Sequence, residues 1–220
     1  MGTTTAKQFL VAAGKPIIVH SFERFRTAVP DAGFILVLHS SLHADWEAIR
    51  EEFLPWLNQK NFLLCEGGKE RSDSVKNGLD AIQTGGWSDS VSSTPIAIHD
   101  AVRPMISPGI ITDAFQLAVS TGSAVVCVPV KSSMRIKTEN GSKAVDRNLY
   151  YHVQTPQVFR FNELLKWYSE KPDQEFTDDA SLAEFFGCNI QMCEGSYDNL
   201  KITTPEDLAV AEILLKKEGK

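Results

Sequence analysis

The feature that most constrains the fold is an alternation of short Val- and Ile-rich apolar runs with amphipathic stretches of about ten to fifteen residues. Short apolar runs of this kind suit strands, and amphipathic stretches between them suit helices that cover the sheet. The pattern predicts an α/β fold with a parallel sheet under helices. Strands are expected near Phe34 to His39, Asn61 to Glu66, Pro95 to His99, Ala124 to Val130 and Asn189 to Glu194. Helices are expected from Pro16 to about Thr27, Ala44 to Leu54, Arg71 to Thr84, Pro108 to Ser120, Asn162 to Ser169 and Asp178 to Phe186. The last helix has the clearest start: Thr204 as N-cap, Pro205 in the first turn and Asp207 near the positive end of the helix dipole, ahead of LAVAEILL.

At 220 residues with 43% hydrophobic content, the chain can bury one sizeable core, and residues 1–220 read as one domain. A net charge of −6 and a pI near 5.4 argue against a general nucleic-acid binder, which needs a broad basic face for backbone phosphates. No apolar run approaches the roughly 18 to 20 residues of a membrane helix, and no charged-then-apolar leader opens the chain. A cytoplasmic protein that neither inserts in a membrane nor is exported is the expectation. Cys65, Cys127, Cys188 and Cys193 lack CxxC spacing, and three lie in apolar runs, so free thiols in a reducing compartment are expected. His39 and His43 are four apart, but His39 ends the strand-like run FILVLH, which favours loop histidines over a metal pair.

One segment breaks the alternation. Lys131 to Tyr151 reads KSSMRIKTENGSKAVDRNLYY, without a helical stripe and with an Asn140-Gly141 pair suited to a hairpin turn. Composition alone favours a solvated flap over an arm packed on a partner, because few large apolar groups are available to anchor an arm.

Five segments carry candidate chemistry. GGKERSDSVKNGL, Gly67 to Leu79, runs from a strand end through two glycines into a helix, an arrangement that can present backbone N–H groups to an anion or nucleobase. A plain turn in which Ser72 or Asp73 caps the helix fits it equally well. HDAVRP, His99 to Pro104, sets Asp100 and Arg103 at the carboxyl end of a strand, where ligands of open α/β sheets lie; an ordinary ion pair accounts for the spacing equally well. QTPQVF places Thr155 before a proline, in an extended segment. TDDAS, Thr177 to Ser181, reads in isolation as a helix cap with first-turn acids. NLKITTPEDL holds Lys201 on a β-branched strand, where a lysine is costly unless it meets an anion or reaches solvent.

Taken together, KQFL, GKPIIVHS, GGKERSDSVKNGL, HDAVRP, VPVKSSMR, VDR, QTPQVFR, TDDASL and NLKITTPEDLAVAE resemble the methylerythritol phosphate cytidylyltransferases over essentially the whole chain. The resemblance implies a Rossmann-like nucleotidyltransferase sheet and a homodimer through exchanged β-arms, with 131–151 as the arm. It also implies CTP and a sugar-alcohol phosphate as partners, and Mg2+ as cofactor. By motif position, Lys7 would contact the CTP phosphates and Lys201 the charge near the reacting phosphates. Gly67, Gly68 and Ser74 would line the cytidine pocket. Asp100, Arg103 and Thr155 would hold the substrate phosphate, with Ser133 and Arg147 from the neighbouring arm. The reaction so implied is an in-line attack of a substrate phosphate oxygen on the α-phosphorus of CTP, which requires no covalent nucleophile.

Two departures stand out. The family pattern has an apolar strand and a loop of the type AGGxGxRMG ahead of Lys-Gln; here the chain opens on Met1-Gly2-Thr3, and Ala6 stands where proline is usual. Without that central strand two neighbours should be left unpaired, and CTP turnover should be impaired. In VPVKSSMR, Ser132 replaces an acid and Ser133 a threonine. The rival readings are a ribitol 5-phosphate cytidylyltransferase, which would share the fold and CTP use, and a non-catalytic dimer lacking the triphosphate loop.

Overall fold

The computed structural model describes residues 5–85, 87 and 93–218; Met1-Gly2-Thr3 falls outside them. A short hairpin, β1 (Val11–Ala12) and β2 (Lys15–Pro16), precedes α1 (Ile17–Ala28). Pro16 therefore ends a strand and stands just ahead of the helix. Next come β3 (Phe34–Leu38), α2 (His43–Phe53), β4 (Phe62–Glu66), α3 (Arg71–Thr84), β5 (Pro95–Ile98), α4 (Pro108–Thr121) and β6 (Ser123–Pro129). A hairpin of β7 (Met134–Thr138) and β8 (Gly141–Val145) leads to β9 (Tyr151–Arg160). Helices α5 (Phe161–Ser169) and α6 (Asp179–Phe185), strand β10 (Met192–Glu194) and helix α7 (Pro205–Glu218) close the chain.

The main sheet has the order β10-β6-β9-β5, and it is mixed rather than parallel. Strand β9 runs antiparallel to both β5 and β6. The reason lies in the connection: the chain leaves β6, makes the β7–β8 hairpin and returns without a crossover helix, so it must run back beside the strand it left. Polar Gln154, Thr155 and Gln157 are buried on β9 and masked it as a strand in the sequence. The strand expected from Asn189 shrinks to three residues for a similar local reason. The Ser123 hydroxyl accepts the Gln191 N–H (3.1 Å) and donates to the Asn189 carbonyl (3.0 Å), so a side chain replaces the ladder there.

Among the described residues, β3 pairs only with β4, in parallel, and β5 pairs only with β9, so each has one edge without a strand. Helix α3 spans both. Its Leu79 and Ile82 are buried in one cluster with Phe159, Leu164 and Trp167, and Ile35 of β3 and Ile96 and Ile98 of β5 pack against that cluster. A second core gathers Ile18, Val19 and Phe22 of α1 around Leu36, Leu38, Trp46 and Phe62. A third joins α4 to β6, β9 and β10 through Ala114, Ala118, Val126 and Val158.

The 131–151 excursion is a two-stranded hairpin turning at Asn140-Gly141, with Thr138 paired to Gly141. It stands out from the body, and Ile136, Leu149, Tyr150, Tyr151 and Val153 are exposed along it and on the start of β9. Its root is fastened by Tyr197, whose O–H donates to the Pro129 carbonyl (2.8 Å) and whose ring lies under the Lys131 ammonium. The cysteines are free. His39 caps a short helical turn by accepting the Ser41 N–H, while the His43 ring meets the Leu38 carbonyl at the start of α2. No helix among the described residues is long and apolar enough to cross a membrane.

Candidate active site

Strand β5 ends at Ile98, and the chain turns at once, with the Arg103 N–H donating to the Asp100 carbonyl (3.0 Å). That turn brings Arg103 Nε to 3.0 Å from Asp100 Oδ2. The same oxygen takes Lys201 Nζ at 3.2 Å, so the ion pair expected from the spacing is one side of a triad with two positive charges and one negative. A net positive, partly buried cluster suits an anion such as a phosphate. Burial pushes the Asp100 carboxyl up, but Lys201 and then Arg103 outweigh it, and the group sits below the usual carboxylate range.

Lys201 is not on a strand. Residues 199–203 form a loop, tied to the β5 turn by the Ile202 N–H donating to the Val102 carbonyl (2.9 Å). The charge on Lys201 is met by Asp100 and by solvent, with 46% of its side chain exposed.

Thr155, expected to help hold substrate phosphate, is 5% exposed. Its hydroxyl accepts the Asp100 N–H (3.0 Å), and because His99 Nε2 faces a carbonyl, which can only accept, the neutral ring takes the hydroxyl proton's hydrogen bond at Nδ1 (3.1 Å). With Nδ1 accepting, His99 carries its proton on Nε2, which faces the Arg103 carbonyl at 3.3 Å. Burial lowers the His99 pKa to about 4, so the ring stays neutral. Sequence reasoning passed over His99; the Thr155–His99 pairing joins residues 56 apart, one on β9 and one in the turn after β5. The pair acts as a brace under the Asp100–Arg103 turn, with Phe25 of α1 packed on the imidazole at 5.0 Å.

The second group lies at the start of α3. The Gly67 N–H bonds to the Leu38 carbonyl (3.1 Å) and the Gly68 N–H to Ser74 Oγ (3.0 Å), so neither is presented as a donor. The Ser74 hydroxyl donates to the Glu70 carbonyl (3.2 Å). The cap of α3 is Glu70, neither Ser72 nor Asp73, and Asp73 completes the box by accepting the Glu70 N–H (3.1 Å). What the two glycines supply is close approach. A Cβ on Gly68 would lie 2.1 Å from Asp73 Cβ, so only glycine lets the loop fold down on the helix start.

Arg71 links this loop to the other half of the site. Its guanidinium donates to both oxygens of Asp179, and the Tyr168 O–H donates to the same fully buried carboxylate. Burial pulls the Arg71 pKa down, but the Asp179 hydrogen bonds and charge outweigh it; the Asp100 charge adds a smaller share, and the net shift is upward. The TDDAS reading as a cap with first-turn acids holds for Asp178, which accepts the Ser181 N–H (2.9 Å), and also takes Gln157 Nε2 (2.9 Å) from β9. It misses Asp179, the buried anchor of Arg71.

The remaining candidates stand apart from these two groups. Lys7 is exposed in a short helical turn, Lys7–Phe9. Ser133 and Arg147 belong to the arm, and Arg147 donates to the carbonyl of Lys131 in its own chain. Burial raises the thiol pKa of Cys65 to about 11 and pushes up those of Cys127, Cys188 and Cys193, which disfavours thiolate.

Comparison with known proteins fits this geometry. The family model described as 2-C-methyl-D-erythritol 4-phosphate cytidylyltransferase matches residues 1–217. The chain is similar to proteins of that name from Porphyromonas gingivalis (37% identity, covering 98% of this chain and 91% of the relative) and Bacteroides fragilis (38%, covering 98% and 93%). Among solved structures, the 2-C-methyl-D-erythritol 4-phosphate cytidylyltransferase of Francisella tularensis superposes with a TM-score of 0.76 at 26% identity, covering 95% of this chain and 93% of that one. The 4-diphosphocytidyl-2C-methyl-D-erythritol synthase of Anaerococcus prevotii shares the fold, with a TM-score of 0.83 at 23% identity over 98% and 92% of the two chains. A family match over residues 1–217, joined to a net positive cluster at the strand ends of a Rossmann-like sheet, makes this chain a member of the 2-C-methyl-D-erythritol 4-phosphate cytidylyltransferase family.

Proposed function

We propose that the chain transfers CMP from CTP to 2-C-methyl-D-erythritol 4-phosphate and releases pyrophosphate, a step toward isoprenoid precursors. The observation that carries the reading is the Asp100–Arg103–Lys201 triad, whose two cations converge on one carboxylate beside the carboxyl ends of the strands. In this reading Arg103 receives the phosphate of the sugar alcohol, while Lys201 and Lys7 neutralise charge on the CTP phosphates. Gly67, Gly68 and Ser74 shape the wall against which the cytosine lies. Thr155 and His99 act behind Asp100, keeping its turn in place rather than touching substrate. The protein's task is to align two polyanions, so that a phosphate oxygen attacks the α-phosphorus in line and pyrophosphate departs opposite.

In this reading the cofactor is Mg2+, held mainly by triphosphate oxygens and water. No cluster of three or more His, Cys, Asp or Glu side chains occurs among the described residues, and Mg2+ commonly takes one or two carboxylates with the rest of its shell from phosphates and water. Asp100 would hold it through Oδ1, since Oδ2 serves Arg103 and Lys201, and when bound it would offset triphosphate charge.

Two chains would pair through the β7–β8 arm, whose exposed Ile136, Leu149 and Tyr151 give it apolar surface to cover, and Ser133 and Arg147 would then serve the partner's site. Free cysteines accord with work in the cytoplasm. The test is pyrophosphate release from CTP with methylerythritol phosphate or ribitol 5-phosphate as acceptor, alongside calorimetric titration of CTP with magnesium. Turnover of ribitol phosphate alone would assign the rival substrate, and a chain that does not bind CTP would be the non-catalytic dimer.

A further inference from the structure

The loop that delivers Lys201 opens on Asn199, which has no solvent exposure. Its Nδ2 donates to Gln154 Oε1 (3.1 Å) and to the Thr155 carbonyl (3.0 Å), pinning the loop to β9. Its own carbonyl accepts Arg103 Nη1 (2.9 Å), and its N–H donates to the Ser196 carbonyl (3.1 Å). One residue thus touches the strand that braces Asp100, accepts from the arginine of the triad, and stands two positions before the lysine of the triad. Gln154 is fixed in turn. Its Nε2 donates to the Ser196 carbonyl (2.8 Å), and a Cβ on Gly195 would lie 2.6 Å from its Oε1, so the amide is wedged with its oxygen toward Asn199 and cannot flip without losing the Ser196 bond.

The amide orientation of Asn199 is set by these partners, since both neighbours of Nδ2 are acceptors. The other end of the amide, Oδ1, is buried without a partner. The carbonyl that receives Arg103 is on the backbone, so its position depends on the Nδ2 bonds.

We propose that Asn199 is a positioning residue of the transfer site: through its two bonds to β9 it sets where its own carbonyl holds Arg103, and where the following turn delivers Lys201 to Asp100. The inference rests on the cytidylyltransferase reading for its kinetic consequences, but not for the geometry. Asparagine at this point is therefore required for substrate affinity as well as for fold.

The experiment uses two neutral variants of the full chain, Asn199→Ser and Asn199→Ala, with Arg103→Lys alone and combined with each. Melting curves first establish that the variants fold; should Asn199→Ala fail to fold, Asn199→Ser carries the same criteria. The kinetic readout is pyrophosphate release, with KM for methylerythritol phosphate separated from kcat. Each variant should raise that KM at least tenfold, and in the Arg103→Lys background the same change should cost at least threefold less, because the residue acts through Arg103. Native KM, or a loss that multiplies in full on top of Arg103→Lys, overturns the proposal. Calorimetry with inorganic phosphate keeps the two readings separate. A native chain that binds phosphate but turns over neither sugar phosphate speaks against the cytidylyltransferase reading, while Asn199→Ser then still has to weaken phosphate at least tenfold. Phosphate bound equally by the native chain and Asn199→Ser overturns the positioning role in either case.

Discussion

Replacing Thr155 by valine tests whether the residue braces the site or binds substrate. Valine has nearly the same shape, so the change removes one oxygen from a position that is 5% exposed and creates little cavity. Two partners are stranded: the Asp100 N–H, which donated to Thr155 Oγ1, and His99 Nδ1, which accepted from it. A buried group left without its hydrogen bond costs about 1–3 kcal/mol. Asp100 keeps partial exposure and its N–H can recover part of that from water, whereas the His99 ring is deeply buried, so the expected loss is roughly 2–4 kcal/mol in the absence of any ligand. For a chain of this size each kcal/mol lowers Tm by about 2–4 °C, so the melting curve of the free protein should fall by roughly 4–16 °C. The assay is urea and thermal unfolding without substrates, followed by calorimetric titration of methylerythritol phosphate at a temperature where the variant is folded. A direct substrate contact predicts the opposite pattern, with unchanged unfolding of the free protein and weaker binding. Unfolding curves that coincide with those of the native chain would refute the brace.

His99 has a pKa lowered to about 4 against an ordinary value of 6.5, so between those limits the unfolded chain takes up a proton that the folded chain does not; stability should fall as pH drops from 6.5 to 4, by up to about 3 kcal/mol, and denaturation of His99→Asn against pH should lose most of that slope. Asp179→Asn removes the anion that Arg71 and Tyr168 share, and with Arg71 41% exposed the cost should be about 2–3 kcal/mol rather than the 3–5 of a fully buried pair, measured by urea denaturation together with an increase in KM for CTP. In mixed dimers of an Arg147→Ala chain with a Lys201→Ala chain, one working site per heterodimer should reappear if the arm serves the partner; recovery no greater than either parent homodimer would show that it does not.

The α/β class, the boundaries of α3 and the capped start of α7 were legible because each is a local matter. Alternating apolar runs and helix starts are fixed by neighbours in sequence, and Thr204 caps the helix as read, its hydroxyl accepting the Asp207 N–H (3.3 Å), while the Asp207 carboxylate in addition accepts the Thr203 and Thr204 N–H groups. Strand β9 was hidden because its buried polar residues answer to partners far away: Gln154 to Ser196 and Asn199, Thr155 to His99 and Asp100, Gln157 to Asp178 and Ala180. Periodicity cannot register a polar residue whose partner is supplied by another element.

The same limit explains the candidate site. Asp100, Arg103 and Lys201 could be named one by one from motifs, yet whether a charge sits in an ordinary pair or an anion-binding cluster depends on the net sign of all groups within a few ångströms, a quantity that exists only after folding. Motif reading assigns roles to residues that carry chemistry and passes over those that aim them. Here the aiming groups are a neutral histidine fixed in one tautomer, an asparagine with one end of its amide unpaired, and a buried aspartate beneath an arginine. Each sits beside or within a recognised motif, and each is distinguished from an ordinary core or cap residue only by partners on other elements, as in the Arg71–Asp179 pair 108 residues apart. The polar residues most informative about this site are therefore those whose burial would be unfavourable unless a distant partner met them, and a search of the fold for such groups finds the supports that the sequence leaves silent.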